Sequence, residues 1–263
     1  MKAEVTKKPI FKKVSSTISG QMRYYGVHAC LRIFQERAAD IIKVYVVEER
    51  VKTFGALLKW CAQNKKSYRI IAHDQLARIT ESVHHEGVCI VAKEKASISF
   101  ERWFSQIEKD KQPMSCLYLD GVQDPHNLGA IIRTAAHFGV KYIFGDVALL
   151  PRLSPSAYRI AKGAAEVVSL VTLSDVSKAL AQLKKAGFSL ISATQDAKHS
   201  LYDTEFSSRN VFVFGAEDVG IRPKVRTICD KELQIPGANQ IESLNVATAI
   251  GVVLGEVWRQ LRN

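Results

Sequence analysis

The sequence lacks the features that define several large classes of protein. No uninterrupted apolar run approaches the roughly 18 residues that a membrane-spanning helix requires. The five cysteines are odd in number and form no CxxC pair, which argues against a disulfide framework or a zinc knuckle and favours a reducing cytoplasm. The basic N-terminus is not followed by an apolar stretch, so we expect no secretory signal.

Acidic residues are also scarce relative to basic ones. The chain has 37 Lys and Arg against 26 Asp and Glu, a formal net charge of +11. Of these, 18 basic and 9 acidic side chains lie in residues 1–100, which therefore carry most of the excess. This asymmetry indicates attraction for a polyanion, most often nucleic acid, whose phosphates would dominate the affinity. A basic surface that serves only solubility would give the same composition, so charge alone leaves both interpretations open.

Alternating helix-like and strand-like patterns divide the chain into two α/β units. Residues 1–20 are rich in Lys, Ser and Thr and predict a flexible basic arm. A small α/β unit is predicted over 21–95, a more polar linker that leaves room for a short helix over 96–113, and a larger unit with stronger alternation over 114–263. Strands that alternate with helices predict a mostly parallel sheet, in which ligands bind beyond the carboxyl ends of the strands.

Three polar segments follow predicted strands of the larger unit. On the first, Arg133 lies on an otherwise apolar helix, so its charge must reach an anion, a cleft or the surface. On the second, Glu217 replaces the second glycine of the dinucleotide-binding fingerprint, which argues against a nucleotide-dependent dehydrogenase. On the third, Ser243 and Asn245 precede a long helix, where simple capping is the first interpretation. The segments are LDGVQDPHNLGAIIRTA (119–135), VFVFGAEDVG (211–220) and IPGANQIESLNVATAIGVVLGE (235–256).

Taken together and in this order, the three segments resemble the SpoU (TrmH) family of RNA ribose 2′-O-methyltransferases, within the SPOUT superfamily. The matching positions are Asn127, Gly129, Arg133, Thr134 and Ala135 in N-x-G-x-x-x-R-T-A, Gly215, Glu217 and Gly220 in G-x-E-x-x-G, and Ile235, Pro236 and 242–246 in IP…ESLNV. The sequence departs from the usual family pattern at Gly237 and Asn239. The first unit resembles the family's substrate-binding module at Gly26, His28 and Ala29, and again in HHEGVCIVA (84–92).

The resemblance implies a fold, a cofactor and a partner. The implied fold is an α/β knot, a trefoil-knotted parallel sheet, preceded by a small α/β RNA-binding domain. The implied reaction is methyl transfer from S-adenosylmethionine to a ribose 2′-hydroxyl of RNA, without a metal, by a cytoplasmic homodimer whose cofactor cleft lies at the dimer interface. The substrate-binding module favours ribosomal over transfer RNA. The alternative is an RNA-binding protein that keeps the fold and has lost catalysis, which the intact motifs argue against.

The resemblance also implies roles for individual residues. Arg133 is the implied essential residue, and we interpret its role as electrostatic, because an arginine is a poor base at neutral pH. It would bind the target phosphate or stabilise the developing alkoxide. The residues implied to orient it and the ribose are Asn127, Glu217, Ser243 and Asn245, and the backbone positions implied to hold the cofactor are Thr194, Gly215, Ile235 and Leu244.

Overall fold

The computed structural model describes residues 20–107, 110–238 and 243–261. The arm predicted over 1–20 therefore lies outside the described residues apart from Gly20, as do residues 239–242 of the third segment, which include Asn239 and Glu242. Within the described ranges, no helix has both the length and the apolar character needed to cross a membrane.

The first part of the described chain is a four-stranded mixed sheet with helices on both faces. Strand β4 lies between β1 and β2 and is antiparallel to both, and β3 is the outer neighbour of β2, parallel to it. The sequence patterns did not predict β1. The elements in chain order are β1 (Gln21–Tyr25), α1 (Val27–Arg37), β2 (Ile41–Val46), α2 (Gly55–Gln63), β3 (Ser67–Ile70), α3 (His73–Thr80) and β4 (Val88–Lys93).

The second part is a seven-stranded sheet in which every observed strand pair is parallel, which confirms the predicted fold class. The strand order is β11-β9-β10-β6-β7-β8-β5. Whether the chain is knotted stays a prediction. The elements are β5 (Ile98–Ser99), α4 (Phe100–Ile107), β6 (Met114–Asp120), α5 (Pro125–His137), β7 (Tyr142–Asp146), α6 (Pro155–Ile160), β8 (Ser169–Leu173), α7 (Val176–Lys185), β9 (Ser189–Ala193), β10 (Arg209–Gly215), α8 (Pro223–Arg226), β11 (Lys231–Leu233) and α9 (Val246–Leu261).

The central strands of the second sheet are buried on both faces, as a parallel sheet between two helical layers requires. Leu117 and Phe212 pack with α5 and α9 on one face, whereas Tyr118 and Val213 pack with α4 and α7 on the other. Successive residues of β6 and β10 thus alternate between the two cores, because side chains of a strand alternate in direction. This explains why the sequences of both strands are continuous apolar runs and do not alternate between apolar and polar residues.

Two helix starts differ from the sequence expectation. The apolar pattern LGAIIRTAAHFG (128–139) predicts a helix that starts at position 128. Helix α5 begins three residues earlier, at Pro125, because the Asp124 carboxylate caps it by accepting the backbone N–H of His126 at 2.6 Å. The pattern SDVSKALAQLKKAG (174–187) predicts a helix capped by Ser174, but Asp175 caps α7 instead. The Asp175 carboxylate accepts the third N–H of the helix at 3.0 Å, so the serine prediction was wrong by one residue.

The region interpreted as a linker contains an element of the larger unit. In α4, Phe100, Trp103 and Ile107 are buried in the core between the sheet and α7. Their spacing follows one face of a helix, whereas the polar composition of 96–113 and its final Pro113 favour a linker with at most a short helix. The position of the boundary between the two units stays a prediction.

Candidate active site

The strand order brings the ends of four strands to one edge of the second sheet. Strands β11, β9, β10 and β6 are consecutive neighbours and parallel, so their carboxyl ends lie side by side. Gly215 ends β10, and Thr194 follows β9, where its backbone N–H donates to the Leu233 carbonyl of β11 at 2.9 Å. Ile235 follows β11 and is half-buried. Four chain-distant segments therefore meet at the edge where ligands bind in such sheets.

Three of the sequence-predicted side chains meet at this edge and hydrogen-bond one another. The Asn127 amide donates from Nδ2 to Oε1 of Glu217 at 2.8 Å. The Asn245 amide donates from Nδ2 to Oδ1 of Asn127 at 2.8 Å and lies 2.8 Å from the same Glu217 oxygen. We call Asn127, Glu217 and Asn245 the polar triangle. One residue from each of the three motif segments contributes to it.

Two helix N-termini hold the polar triangle in place. Asn127 lies in the first turn of α5, which Asp124 caps. Asn245 precedes α9, and its Oδ1 accepts the backbone N–H groups of Ala247 at 3.0 Å and Thr248 at 3.4 Å. The expectation that Asn245 caps the helix is therefore confirmed, and the same side chain uses its amide group in the triangle. The Glu217 carboxylate lies near the positive end of α9, where a negative charge is favoured.

The loop that carries Glu217 folds back tightly on its strand. A Cβ added at Gly215 would overlap the backbone of Gly220 and the nitrogen of Ile221, so glycine is required there. The Ala216 backbone N–H donates to the Asp120 carbonyl at 3.1 Å, and that of Gly220 donates to Ala216 at 2.8 Å. The two glycines of the second segment therefore serve backbone packing, which aims Glu217 at the ends of α5 and α9.

Gly129 of the first segment also serves packing. A Cβ at this position would come within 2.8 Å of the Ala157 carbonyl and 2.9 Å of the Ile160 Cβ. Helix α5 can therefore lie directly against α6 only because residue 129 has no side chain.

Arg133 is not joined to the polar triangle. It is exposed on α5, and within the described residues no hydrogen bond or ion pair engages its guanidinium. Ser243 is likewise exposed, and its hydroxyl meets no hydrogen-bond partner in the described part of the chain. The expectation that the triangle residues orient Arg133 directly is thus not met within one chain. The guanidinium is left available to a substrate or to a second chain.

The expected cofactor positions offer backbone, one buried hydroxyl and apolar side chains. The Oγ1 atom of Thr194 is buried without a hydrogen bond of ordinary geometry to the described residues. The pKa of the nearby Asp196 is lowered, chiefly by a hydrogen bond from Arg226. Leu244 exposes 41% of its surface beside Asn245. A buried hydroxyl and an exposed leucine at one sheet edge are compatible with a ligand that has both polar and apolar parts.

The sequence reasoning missed a cluster centred on Arg222. Its guanidinium donates from Nε to Oδ1 of Asp120 at 2.8 Å, and it also contacts Asp146 at 3.3 Å and the Tyr118 hydroxyl at 3.2 Å. The Asp120 side chain is fully buried. Hydrogen bonds to Asp120 raise the pKa of Arg222, and burial raises that of Tyr118. Arg222 thereby ties the loop after β10 to the ends of β6 and β7. Asp120, the second residue of the first segment, is the residue of the sequence that could have indicated this cluster.

Comparison with known proteins identifies the family. The model of the SpoU rRNA Methylase family matches residues 114–255, and the model described as RNA 2′-O ribose methyltransferase substrate binding matches residues 24–97. The chain belongs to the SpoU methylase family. This confirms the expected family and, with it, the expected class of enzyme, an RNA 2′-O-ribose methyltransferase.

Individual relatives and solved structures agree with the family match. An uncharacterized tRNA/rRNA methyltransferase YfiF of Escherichia coli O157:H7 is 32% identical over 91% of this chain and 68% of its own length. The 23S rRNA (guanosine-2′-O-)-methyltransferase RlmB of Neisseria meningitidis is 30% identical over 92% and 97%. The structure of the SpoU methyltransferase AviRb from Streptomyces viridochromogenes in complex with AdoMet superposes with a TM-score of 0.77 at 21% identity, covering 95% of this chain and 94% of AviRb. At that identity the likeness shows the fold.

Proposed function

We propose that this chain transfers a methyl group from S-adenosylmethionine to a ribose 2′-hydroxyl of RNA. The observation that carries the proposal is the polar triangle, which joins one residue from each motif segment at the ligand-binding edge of the parallel sheet. Asn127 lies 90 positions from Glu217 and 118 from Asn245, so these side chains meet only in the folded chain, at an exposed edge where ligands bind in parallel sheets. The intact motif residues argue against the alternative, an RNA-binding protein that has lost catalysis.

S-adenosylmethionine is the methyl donor, and when bound it supplies an electrophilic methyl group. Backbone at Thr194, Gly215, Ile235 and Leu244 would hold it. The residues present fit such a molecule, since the buried Thr194 hydroxyl has hydrogen-bonding capacity to spare and Leu244 presents apolar surface.

The polar triangle and Arg133 have separate tasks in this proposal. Glu217 accepts amide hydrogens with one carboxylate oxygen, which fixes both asparagine side chains for hydrogen bonding to the ribose. Arg133 holds the target phosphate or stabilises negative charge that develops on the 2′-oxygen, through its planar multi-donor group. Ser243, exposed next to the triangle, supplies a further hydroxyl to the ribose.

The substrate class and the assembly are part of the proposal. We favour ribosomal over transfer RNA because the substrate-binding model matches the first part of the chain and because the RlmB relatives are named for 23S rRNA. A homodimer is supported by the unpartnered Arg133 and by the exposed Leu244 and Trp258 at the two ends of α9. A cytoplasmic location is supported by five free cysteines.

A methyl-transfer assay tests the proposal. The purified chain is incubated with tritium-labelled S-adenosylmethionine and either ribosomal or transfer RNA. We expect the label to enter ribosomal RNA. The phosphodiester bond next to the modified ribose should resist alkaline hydrolysis. Titration calorimetry with S-adenosylmethionine alone separates the alternatives. Absence of binding heat together with RNA binding would favour the protein without catalysis.

A further inference from the structure

One face of the first sheet is only half covered. The fully covered face of this sheet, which includes Tyr24, Val44 and Ile90, packs against α1 and α2 in the main core. On the opposite face, helix α3 covers only one part, where Leu76 packs over Tyr25 and Cys89. The rest of this face stays exposed or half-exposed. We call it the open sheet face and define it by Gln21, Arg23, Lys43, Ser67, Arg69, Val91 and Lys93.

The strand register places these residues in adjacent rows. Arg23 pairs with Val91 and Val91 with Lys43 across β1, β4 and β2, and Lys43 pairs with Ser67 on β3. Gln21 and Lys93 form the next row on one side. Arg69 follows Ser67 by two positions and therefore points to the same face.

Each of the four strands contributes one cation to this face: Arg23 from β1, Lys43 from β2, Arg69 from β3 and Lys93 from β4. Neighbouring strands are about 4.8 Å apart, so the four charges span roughly 15 Å. No residue that defines the face is acidic. Of these four cations, Arg23 is engaged by α3 and the turn after it: its guanidinium donates to the Ile79 carbonyl at 3.0 Å and lies 3.5 Å from the Glu81 carboxylate, whose side chain is 71% exposed.

We propose that the open sheet face binds the phosphate backbone of the RNA substrate. The inference rests on the proposed function, because it assigns a surface to the substrate of that reaction. A protein partner would call for an apolar centre to the interface. Of the large apolar side chains that are exposed in the described residues, none belongs to this face, and Tyr68 and Ile70 of β3 point to the other one. Closely spaced cations with little apolar surface instead suit a polyphosphate chain.

Salt-dependent RNA binding tests the assignment. The variant Lys43→Gln/Arg69→Gln/Lys93→Gln removes three charges, and the probe is a fluorescein-labelled RNA stem-loop read by anisotropy. If each cation contacts one phosphate, the slope of log affinity against log salt should fall by about 2. Affinity at low salt should fall by roughly 10- to 100-fold.

A matched control separates this face from net charge. Lys59→Gln/Arg102→Gln/Lys185→Gln removes the same charges from exposed positions on α2, α4 and α7. We expect this control to weaken binding less than about 3-fold, with a nearly unchanged slope. Glu81→Gln removes the carboxylate beside Arg23 and should tighten binding about 2-fold. If the triple variant failed to fold, two single variants would still test the assignment: Lys93→Gln should weaken RNA binding, and Glu81→Gln should tighten it.

The outcomes for this face and for the proposed function are distinct. If the face variant and the control lost RNA affinity equally, or if the face variant lost none, the surface assignment would be overturned. Methyl transfer by the unmodified chain would not be affected by that result. A specific loss of RNA affinity in the face variant, in a chain that transfers no methyl group, would support the surface and remove the enzymatic proposal. Unchanged S-adenosylmethionine binding by the face variant shows that the second unit is intact.

Discussion

Arg133 differs from the other predicted site residues because nothing in the described chain holds it. It is exposed and lacks hydrogen bonds, whereas Asn127, Glu217 and Asn245 are fixed by one another. A long cationic side chain in this state loses conformational freedom only when its target arrives. Its contribution should therefore appear in turnover and not in folding stability.

Replacing Arg133 should separate charge from geometry. We expect Arg133→Ala to lower kcat by about two to four orders of magnitude, as removal of an oxyanion donor does. S-adenosylmethionine affinity, measured by calorimetry, should change little. Arg133→Lys should restore part of the rate if charge dominates and little if the planar fork dominates. An Ala variant with the original turnover would reduce Arg133 to a surface residue.

Asn245 has two tasks that substitution can separate. Its Oδ1 caps α9, and its amide donates into the polar triangle. Asn245→Ser keeps a capping oxygen, so its free energy of unfolding should stay within about 0.5 kcal/mol, whereas Asn245→Ala should lose about 1 kcal/mol. Both variants lose the amide donor, so we expect both to lose most methyl transfer. Full activity in the Ser variant would mean that Asn245 only caps the helix.

At the scale of elements, the site depends on a loop with no room for side chains. The turn after β10 crosses so close to Gly215 that any Cβ there meets the Gly220 backbone. Backbone atoms cannot move aside as the end of a flexible side chain can, so a side chain at position 215 would displace the whole loop. Glu217 and the Arg222 cluster move with it, since both lie on the same loop.

Gly215→Ala should therefore damage site and stability together. We expect a loss of about 1–3 kcal/mol in the free energy of unfolding and a large loss of S-adenosylmethionine affinity. Gly55→Ala is the matched control, because nothing lies within 4 Å of a Cβ at the start of α2. Chemical denaturation and calorimetry measure the two effects. Equal behaviour of both variants would show that the loop tolerates a methyl group.

At the scale of the whole molecule, an ion pair and hydrogen bonds join the two units. Arg37 of α1 binds the Glu166 carboxylate through Nε at 2.8 Å and Nη2 at 3.1 Å. The Lys95 ammonium donates to the carbonyls of Ala165 at 2.7 Å and Glu166 at 2.8 Å. Burial lowers the pKa of Lys95, and the bonds to these carbonyls keep the buried ammonium partnered. The unit that carries the open sheet face is thus fixed relative to the unit that carries the site.

Local patterns predicted the elements better than the contacts between them. The three motif segments were recognisable because turn residues, glycines and caps act over a few positions. Strand β1 was missed because its pairing with β4 lies about 70 residues away in sequence, and QMRYY has no clear alternation. The Arg222–Asp120 pair spans 102 positions, so no local rule links the two residues. The Arg37–Glu166 contact is of the same kind.

The Arg37–Glu166 pair yields the last prediction. The Glu166 side chain is 2% exposed, so Arg37→Ala leaves a buried carboxylate unpaired and should cost about 3–5 kcal/mol of unfolding free energy. Arg32→Ala is the control, since its pair with Glu36 is exposed and should contribute less than about 1 kcal/mol. Adding Glu166→Gln to Arg37→Ala removes the unpaired charge and should recover part of the loss. Denaturation gives these energies, and KM for RNA should rise in Arg37→Ala because the open sheet face is no longer fixed relative to the site. An Arg37→Ala variant with unchanged stability and KM would show that the ion pair does not hold the two units together.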